Sequence, residues 1–373
     1  MTTPIPMTPW SQWTVAVTGM NARPDNPGPG YAVARCLEEA PEFKGRVIGL
    51  GYDVLDAGLH HRGVSDNGYL LPYPSSGAAA LWDRLSDILD QVRIDVIIPC
   101  LDSELLNFIA IKDNLAKRGV RLLMPDKAML AARNKDRLPD LCAAIDIKTP
   151  RCERVTDPAF FDFGQDSDWH YPVVVKGVFY DAYVVHGPEE ARMRFHQIAA
   201  QWGYPILVQP FVAGEEYNLT ALGDGQGGMI GAVSMRKRAV TEKGKAWAGI
   251  STLDPQLQEA SAKLIAALKW QGPLEIETLR DHDGAIHLIE INPRFPAWIY
   301  LSHGVGRNLP VALLQLLAGE RDIALKPAEA GTLFIRYAQD LIVTLDALAG
   351  ITMDGQSVPV PPYLASGLTS TSL

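Results

Sequence analysis

The sequence predicts an α/β protein, with a parallel-sheet unit first and an α+β unit of two unequal lobes after it. Three observations carry this reading. Short apolar runs alternate with amphipathic stretches over the first 125 residues. A strand–helix–strand group occupies about 150–212, and strand-like text dominates 214–320. Strand–helix alternation implies parallel strands covered by helices, whereas consecutive strands imply antiparallel pairing.

The elements follow in order. TVAVTG (14–19), RVIGLG (46–51), DVIIPC (95–100) and RLLMP (121–125) have the length and composition of buried strands. Between them GYAVARCLEEA, AALWDRLSDILDQV and SELLNFIAIKDNLAKRG carry helical spacing. The first strand runs into TGMNARPDNPGPG, a Gly/Pro-rich loop that opens a helix and suggests an anion site at its N-terminus. Two helices are expected at 127–132 and 135–146. YPVVVKG, PEEARMRFHQIAAQWG and PILVQPFV then make the small lobe. In the larger lobe EEYNLTALGD, GMIGAVSMRKR, LEIETLRD and AIHLIEIN read as strands, PQLQEASAKLIAALKW and LPVALLQLLAGE as helices. The expected units are 1–126, 127–320 and an appendage over 321–373 that ends in a loose Ser/Thr-rich tail.

Composition narrows the function classes. The chain has 373 residues, 47% of them hydrophobic and 21% charged, which is ordinary for a soluble globular protein. A net charge of −9 argues against nucleic acid or an acidic membrane as partner. The four cysteines show no CxxC or finger spacing, so a reducing cytoplasmic setting is expected. No leader pattern or membrane-length apolar run is visible. The histidines lack HExxH spacing and no GxSxG occurs, so zinc and serine-hydrolase chemistry have no support.

The most informative stretch is LEIETLRDHDGAIHLIEINPR (274–294). Asp283-Gly284 predicts a two-residue hairpin turn. That register sets His282 opposite Ala285, Glu277 across from Glu290 and Glu275 across from Asn292. Strict alternation then puts Leu288, Glu290 and Asn292 on one face, Ile289 and Ile291 on the other. Facing carboxylates are unfavourable unless a cation sits between them, and carboxylate plus amide oxygens suit Mg2+ completed by phosphate oxygens.

On four motifs the chain resembles the ATP-grasp superfamily, in the branch of the carbamoyl-phosphate synthetase large chain and related carboxylate–amine ligases, over about residues 14–320. NKDRL and VVVKG place Lys135 and Lys176 where the family has its phosphate-contacting cations. QPFVAGEEYNL resembles the interlobe hinge: the backbone at Phe211 and Val212 would hold adenine and Glu216 the ribose hydroxyls. Gln209 stands where that hinge usually has Glu. The hairpin gives Glu277, Glu290 and Asn292 as metal ligands and Arg294 as a γ-phosphate contact. The flap after Lys176 departs from the family, reading KGVFYDAYVVHG with glycine only at 177 and 187. Phe179, Tyr180 and Asp181 stand where glycines usually cover the phosphates.

The resemblance implies a Rossmann-like domain ahead of a two-lobed module, ATP and Mg2+ as cofactors, and small-molecule carboxylate and amine (or peptide) substrates. It leaves a homodimer open. The expected reaction activates a carboxylate as an acyl phosphate for attack by an amine. Arg236, Lys237, Arg238 and Lys245 in SMRKRAVTEKGK are the cations available to an anionic substrate. His303 stands as a candidate base, with Trp298 and Tyr300 either wall or core. Carboxylation or carbamoyl-phosphate-type synthesis, a non-catalytic nucleotide-binding protein and an NAD(P) enzyme on the first sheet remain as alternatives.

Overall fold

A computed structural model describes residues 9–164, 167–178 and 181–357. Its elements are β1 (Thr14–Thr18), α1 (Pro29–Glu38), β2 (Arg46–Gly51), β3 (Asn67–Leu70), α2 (Gly77–Gln91), β4 (Val96–Ile98), α3 (Leu105–Lys117), α4 (Lys127–Ala132) and α5 (Leu138–Ala144). Next come β5 (Glu153–Val155), β6 (Val173–Lys176), β7 (Ala182–Val185), α6 (Pro188–Trp202) and β8 (Ile206–Pro210). The rest are β9 (Glu215–Asp224), β10 (Met229–Val240), β11 (Ala246–Thr252), α7 (Pro255–Leu268), β12 (Gln271–Arg280), β13 (Ile286–Asn292), α8 (Tyr300–Gly304), α9 (Leu309–Leu317), β14 (Leu333–Ile335) and α10 (Leu345–Asp354).

The first sheet has the order β3-β2-β1-β4 and is parallel throughout. Every residue of β1 is buried, as a central parallel strand covered on both faces requires. On one face lie Val33 and Leu37 of α1, on the other Leu85 and Ile88 of α2 with Phe108 of α3. RLLMP is not a full strand: Arg121 makes one parallel bridge to Val96, donating to the Asp95 carbonyl and accepting from Ile97 N–H. Instead β3, too short and Gly-containing to be read from pattern, supplies the fourth strand. The loop before α1 closes on itself. Gly28 N–H donates to the carbonyl and side-chain oxygens of Asn21, and Gly30 N–H to the Gly19 carbonyl. Those two amides are therefore spent within the loop. The approach is so close that a β-carbon on Gly30 would lie 1.7 Å from the Thr18 carbonyl oxygen.

The small sheet, β5-β8-β6-β7, is antiparallel and buries Val173, Val175, Ile206 and Val208 against Phe195 and Ile198 of α6. Its opposite face carries Lys176 and Gln209. The large sheet has the order β13-β12-β9-β10-β11-β14. One face packs Leu219, Leu274, Ile276 and Ile291 on α7, with Trp270 fully buried beneath. Through α9 the large sheet meets α1 in a shared core. After residue 320 the chain adds β14 to the edge beside β11, then crosses back to the first sheet, where Ser357 Oγ accepts from Gly68 N–H at 2.7 Å.

The β12–β13 hairpin departs from the expected turn and yet reaches the expected pairing. Its loop has three residues: Asp281 N–H donates to the Ala285 carbonyl, and Gly284 takes φ +82°. A glycine in the left-handed region suits that loop. Pairing next to the turn is thus one residue off, with Leu279 opposite His287 and Thr278 opposite Leu288. A bulge at Ile289 then restores Glu277 opposite Glu290 and Glu275 opposite Asn292. The bulge also breaks the alternation. Ile286, Leu288 and Ile291 all face the α7 core, so Leu288 does not share a face with Glu290 and Asn292.

This assigns unequal costs to neighbouring truncations. Leu288→Ala empties a core position and is expected to cost about 2–4 kcal/mol, with Ile289→Ala well below that. Denaturant melts of both variants check it, and a larger loss at Ile289 than at Leu288 would mean the bulge is absent.

Candidate functional site

On the large sheet, paired rows decide which side chains share a face. Met235, Asn218, Glu277 and Glu290 form one row and Val233, Thr220, Glu275 and Asn292 the next, all on the side away from α7. Lys237 and Glu216 make a third row on the same side. Into this face come Lys135 from the turn before α5, Arg133 from the end of α4, Arg294 after β13, and Asp102 from the carboxyl end of β4.

Glu275 is the hub. It is 5% exposed and accepts from Trp298 Nε1 at 2.6 Å, Asn218 Nδ2 at 2.9 Å, Asn292 Nδ2 at 3.1 Å and Arg294 Nη1 at 3.2 Å. Asn292 Nδ2 also reaches Glu277 Oε1 at 2.8 Å. Glu277 in turn meets the Lys237 ammonium at 3.3 Å, and that same ammonium lies 2.5 Å from Glu216. Burial pushes the Glu277 carboxyl up, but Lys237, Lys245 and Arg294 outweigh it and hold the group down at about 2. Lys237, 7% exposed, is raised above the ordinary lysine value: burial opposes this, and Glu277 with Glu216 overcome it. Glu290 takes a 3.1 Å ion pair from Lys135.

Lys176 ends β6 on the facing lobe and is 4% exposed. Burial, then the neighbouring Lys135 ammonium, lower it to about 8, against which Glu290 acts. Gln209 on the adjacent strand is buried, 3% exposed. At the hinge Phe211 N–H is taken by the Pro172 carbonyl at 3.2 Å. Asp181 takes a positive φ of 61°; Phe179 and Tyr180 lie outside the described residues.

The predicted residues divide clearly. Lys135, Lys176, Glu277, Glu290, Asn292 and Arg294 converge. The cations of SMRKR separate, because alternation sends Lys237 to the site face and Arg236 to the α7 face, where it pairs with Glu215 at 3.2 Å. Arg236 thus lies on the opposite side of the sheet from Glu277 and Glu290. Arg238 is exposed beside a register shift, and Lys245 is exposed but close enough to act on Glu277. His303 lies apart from these carboxylates. It stacks on Tyr300 and contacts Asn308, and Tyr300 hydrogen-bonds Glu39, the residue that follows α1. Trp298 is a buried donor to Glu275. The sequence reading missed Asp102 and Arg133. A signal existed for Asp102, since it follows a parallel strand at its carboxyl end, where such sheets place their ligand contacts.

Among the described residues no three His, Cys, Asp or Glu side chains converge as a metal centre. The donor set is instead two carboxylates and an amide, which suits a hard cation that keeps water and phosphate in its shell. One orphaned atom fits this. Asn218 Oδ1 is buried with no hydrogen-bond partner, while its Nδ2 is committed to Glu275. An unmet buried acceptor costs about 1–3 kcal/mol, and water on a nearby cation would satisfy it.

Residues 204–339 match the profile of a family described as ATP-grasp in the biosynthetic pathway with Ter operon. Solved structures agree in fold. Rhizobium etli pyruvate carboxylase aligns with 83% of this chain at 18% identity and TM-score 0.61, and the chain spans 28% of its length. A biotin carboxylase–β-γ-ATP complex from Campylobacter jejuni aligns over 84% of this chain and 73% of its own, at 14% identity and TM-score 0.63. An L-amino acid ligase from Bacillus licheniformis aligns over 82% and 74%, at 17% identity and TM-score 0.59.

The state of Lys176 has a measurable effect on stability. Its pKa is lower in the folded chain than in the unfolded one, so the unfolded chain binds more protons between about pH 8 and 10.5 and stability rises with pH there. Lys176→Met is expected to be more stable than wild type below pH 8, by about 3 kcal/mol at most. The gain should vanish above pH 10.5, as read from melting curves across that range.

Proposed function

We propose that this chain, an ATP-grasp protein by its fold and by the match of residues 204–339, is an ATP- and Mg2+-dependent carboxylate–amine ligase that forms an amide or peptide bond through an acyl phosphate. The observation that carries the reading is the convergence of Lys135, Lys176 and Arg294 on a face bearing Glu277, Glu290 and Asn292. Phosphoryl transfer asks a protein mainly for positioning and neutralisation of charge. Lys176 comes from the small sheet, Lys135 from the turn before α5 and Arg294 from the segment after β13. Bound Mg2+ would neutralise phosphate charge and fix the geometry of in-line transfer.

The residues take distinct parts in this reading. Glu277, Glu290 and the Asn292 amide oxygen would hold the cation, and Glu275 keeps Asn292 and Arg294 in place. The Val212 backbone would receive adenine beside Gln209, with Glu216 at the ribose. Lys176 supplies a desolvated ammonium, whose attraction for phosphate is little screened by water. Arg294 presents a planar fork to the oxygens of the phosphate or acyl phosphate. Lys245 and Arg238 remain at the open side for an anionic acid.

A cytoplasmic location and a homodimer belong to the same proposal. Among the described residues no helix is long and apolar enough to cross a membrane.

Two outcomes test the proposal. ADP release with Mg-ATP should require an acid and an amine together, and heavy oxygen from labelled acid should pass into the released phosphate. ADP release with bicarbonate alone would instead favour carboxylation. Nucleotide binding without turnover on any pair would favour a regulatory role. Glu277→Gln/Glu290→Gln should lose the metal-dependent part of ATP binding.

Lys237 gives a further check, because its ammonium stands where a cation would compete for Glu277. Lys237→Met should tighten binding of Mn2+ alone about tenfold, a change of about 1.4 kcal/mol measurable by calorimetry. Unchanged or weaker metal binding would remove that competition from the account.

A further inference from the structure

We propose that Asp102, at the carboxyl end of β4, is the positioning residue that aims Arg294 at the terminal phosphate. The first sheet is then part of the phosphate apparatus. The inference rests on the ATP reading above.

Arg294 is 11% exposed at its side chain and is held from two sheets at once. Its Nε donates to Asp102 Oδ1 at 3.0 Å and its Nη1 to Glu275 Oε2 at 3.2 Å. A guanidinium is rigid and planar, so two acceptors on different atoms fix the direction of its remaining N–H groups. Nη1 also donates to the Phe295 carbonyl at 3.3 Å, so both of those contacts grip one end of the fork. Asp102 holds its other edge, at Nε. Its second oxygen meets Arg133 Nη2 at 3.2 Å, and Arg133 Nη1 donates to the Ile291 carbonyl of β13 at 3.4 Å. One carboxylate from the first sheet therefore orients two guanidiniums beside the hairpin.

Asp102 is itself held in position. Glu104, 1% exposed, accepts from Cys100 N–H at 2.8 Å and Leu101 N–H at 2.9 Å, and from the Thr18 and Tyr52 hydroxyls. Cys100 N–H also reaches Thr18 Oγ1 at 2.8 Å. No cation is among these partners. A buried carboxyl with only neutral donors is costly, and here all of them pin one short loop whose outward side chain is Asp102. Burial drives the Glu104 carboxyl up accordingly. Arg294 is raised above its ordinary value: burial opposes this, and Asp102 and Glu275 overcome it.

A contact that merely stapled the two sheets would affect every nucleotide alike, whereas an aiming role affects the terminal phosphate. Calorimetry on the full chain with Mg2+ and either ADP or a non-hydrolysable ATP analogue separates the two. Wild type should prefer the triphosphate. Asp102→Ala should lose about tenfold of that preference, with ADP affinity changed less than about twofold. Glu104→Gln, which leaves both partners of the ion pair intact, should lose an intermediate part. Melting curves confirm that each variant is folded. Retention of the full preference in Asp102→Ala, or equal loss of both ligands, overturns the aiming role and leaves the ATP reading standing. Failure of wild type to bind either nucleotide overturns both.

Discussion

The site depends on a single buried carboxylate. Glu275 gathers an indole, two amides and a guanidinium from β9, β13 and the segment after it, so three pieces of chain share one acceptor. A charge in so dry a place persists only when its lone pairs are filled and a counter-ion is close. Arg294 is that counter-ion, and it can serve only because the chain turns sharply at Pro293 and returns beneath the first sheet. Removing Glu275 would leave a buried guanidinium facing Asp102 alone and would free Asn292 to turn. The residues proposed to hold cation and phosphate therefore depend on a group to which no ligand is assigned.

Around that hub the charges are arranged as pairs that a ligand would rearrange. Lys135 sits on Glu290 and Lys237 spans Glu216 and Glu277, so each carboxylate assigned to the cation or the ribose already has an ammonium beside it. These contacts keep a cleft rich in like charge from repelling itself. In the proposed reaction Glu277 and Glu290 would hold the cation, which would leave the ammoniums of Lys135 and Lys237 free to face phosphate.

Much of this was legible in the sequence, and the failures have physical causes. The parallel strands and their helices were readable because a strand buried on both faces must be apolar along its whole length, as TVAVT is. Lys176 and the hairpin carboxylates were readable because a charge at the end of an apolar run is conspicuous. Short β3 and the broken RLLMP were not, since four residues with a glycine, or five ending in proline, carry too little pattern. The placing of Arg236 and His303 was not legible, because proximity along the chain says nothing of facing. One step of strand alternation turns Arg236 to the α7 side, and α8 carries His303 toward α1. Asp102 was missed because its partners lie 31 and 192 residues away.

The β12–β13 hairpin shows how a correct pairing can follow from an incorrect turn. A three-residue loop displaces the strand by one, and the bulge at Ile289 displaces it back. The two irregularities form a linked inheritance. Relatives that shorten the loop to two residues must also lose the bulge, because either change alone would turn Glu290 and Asn292 into the α7 core. In the history of such a chain, insertions at the tip and at Ile289 would thus be gained or lost together, and tip length becomes a marker of the strand irregularity nine residues from Arg280.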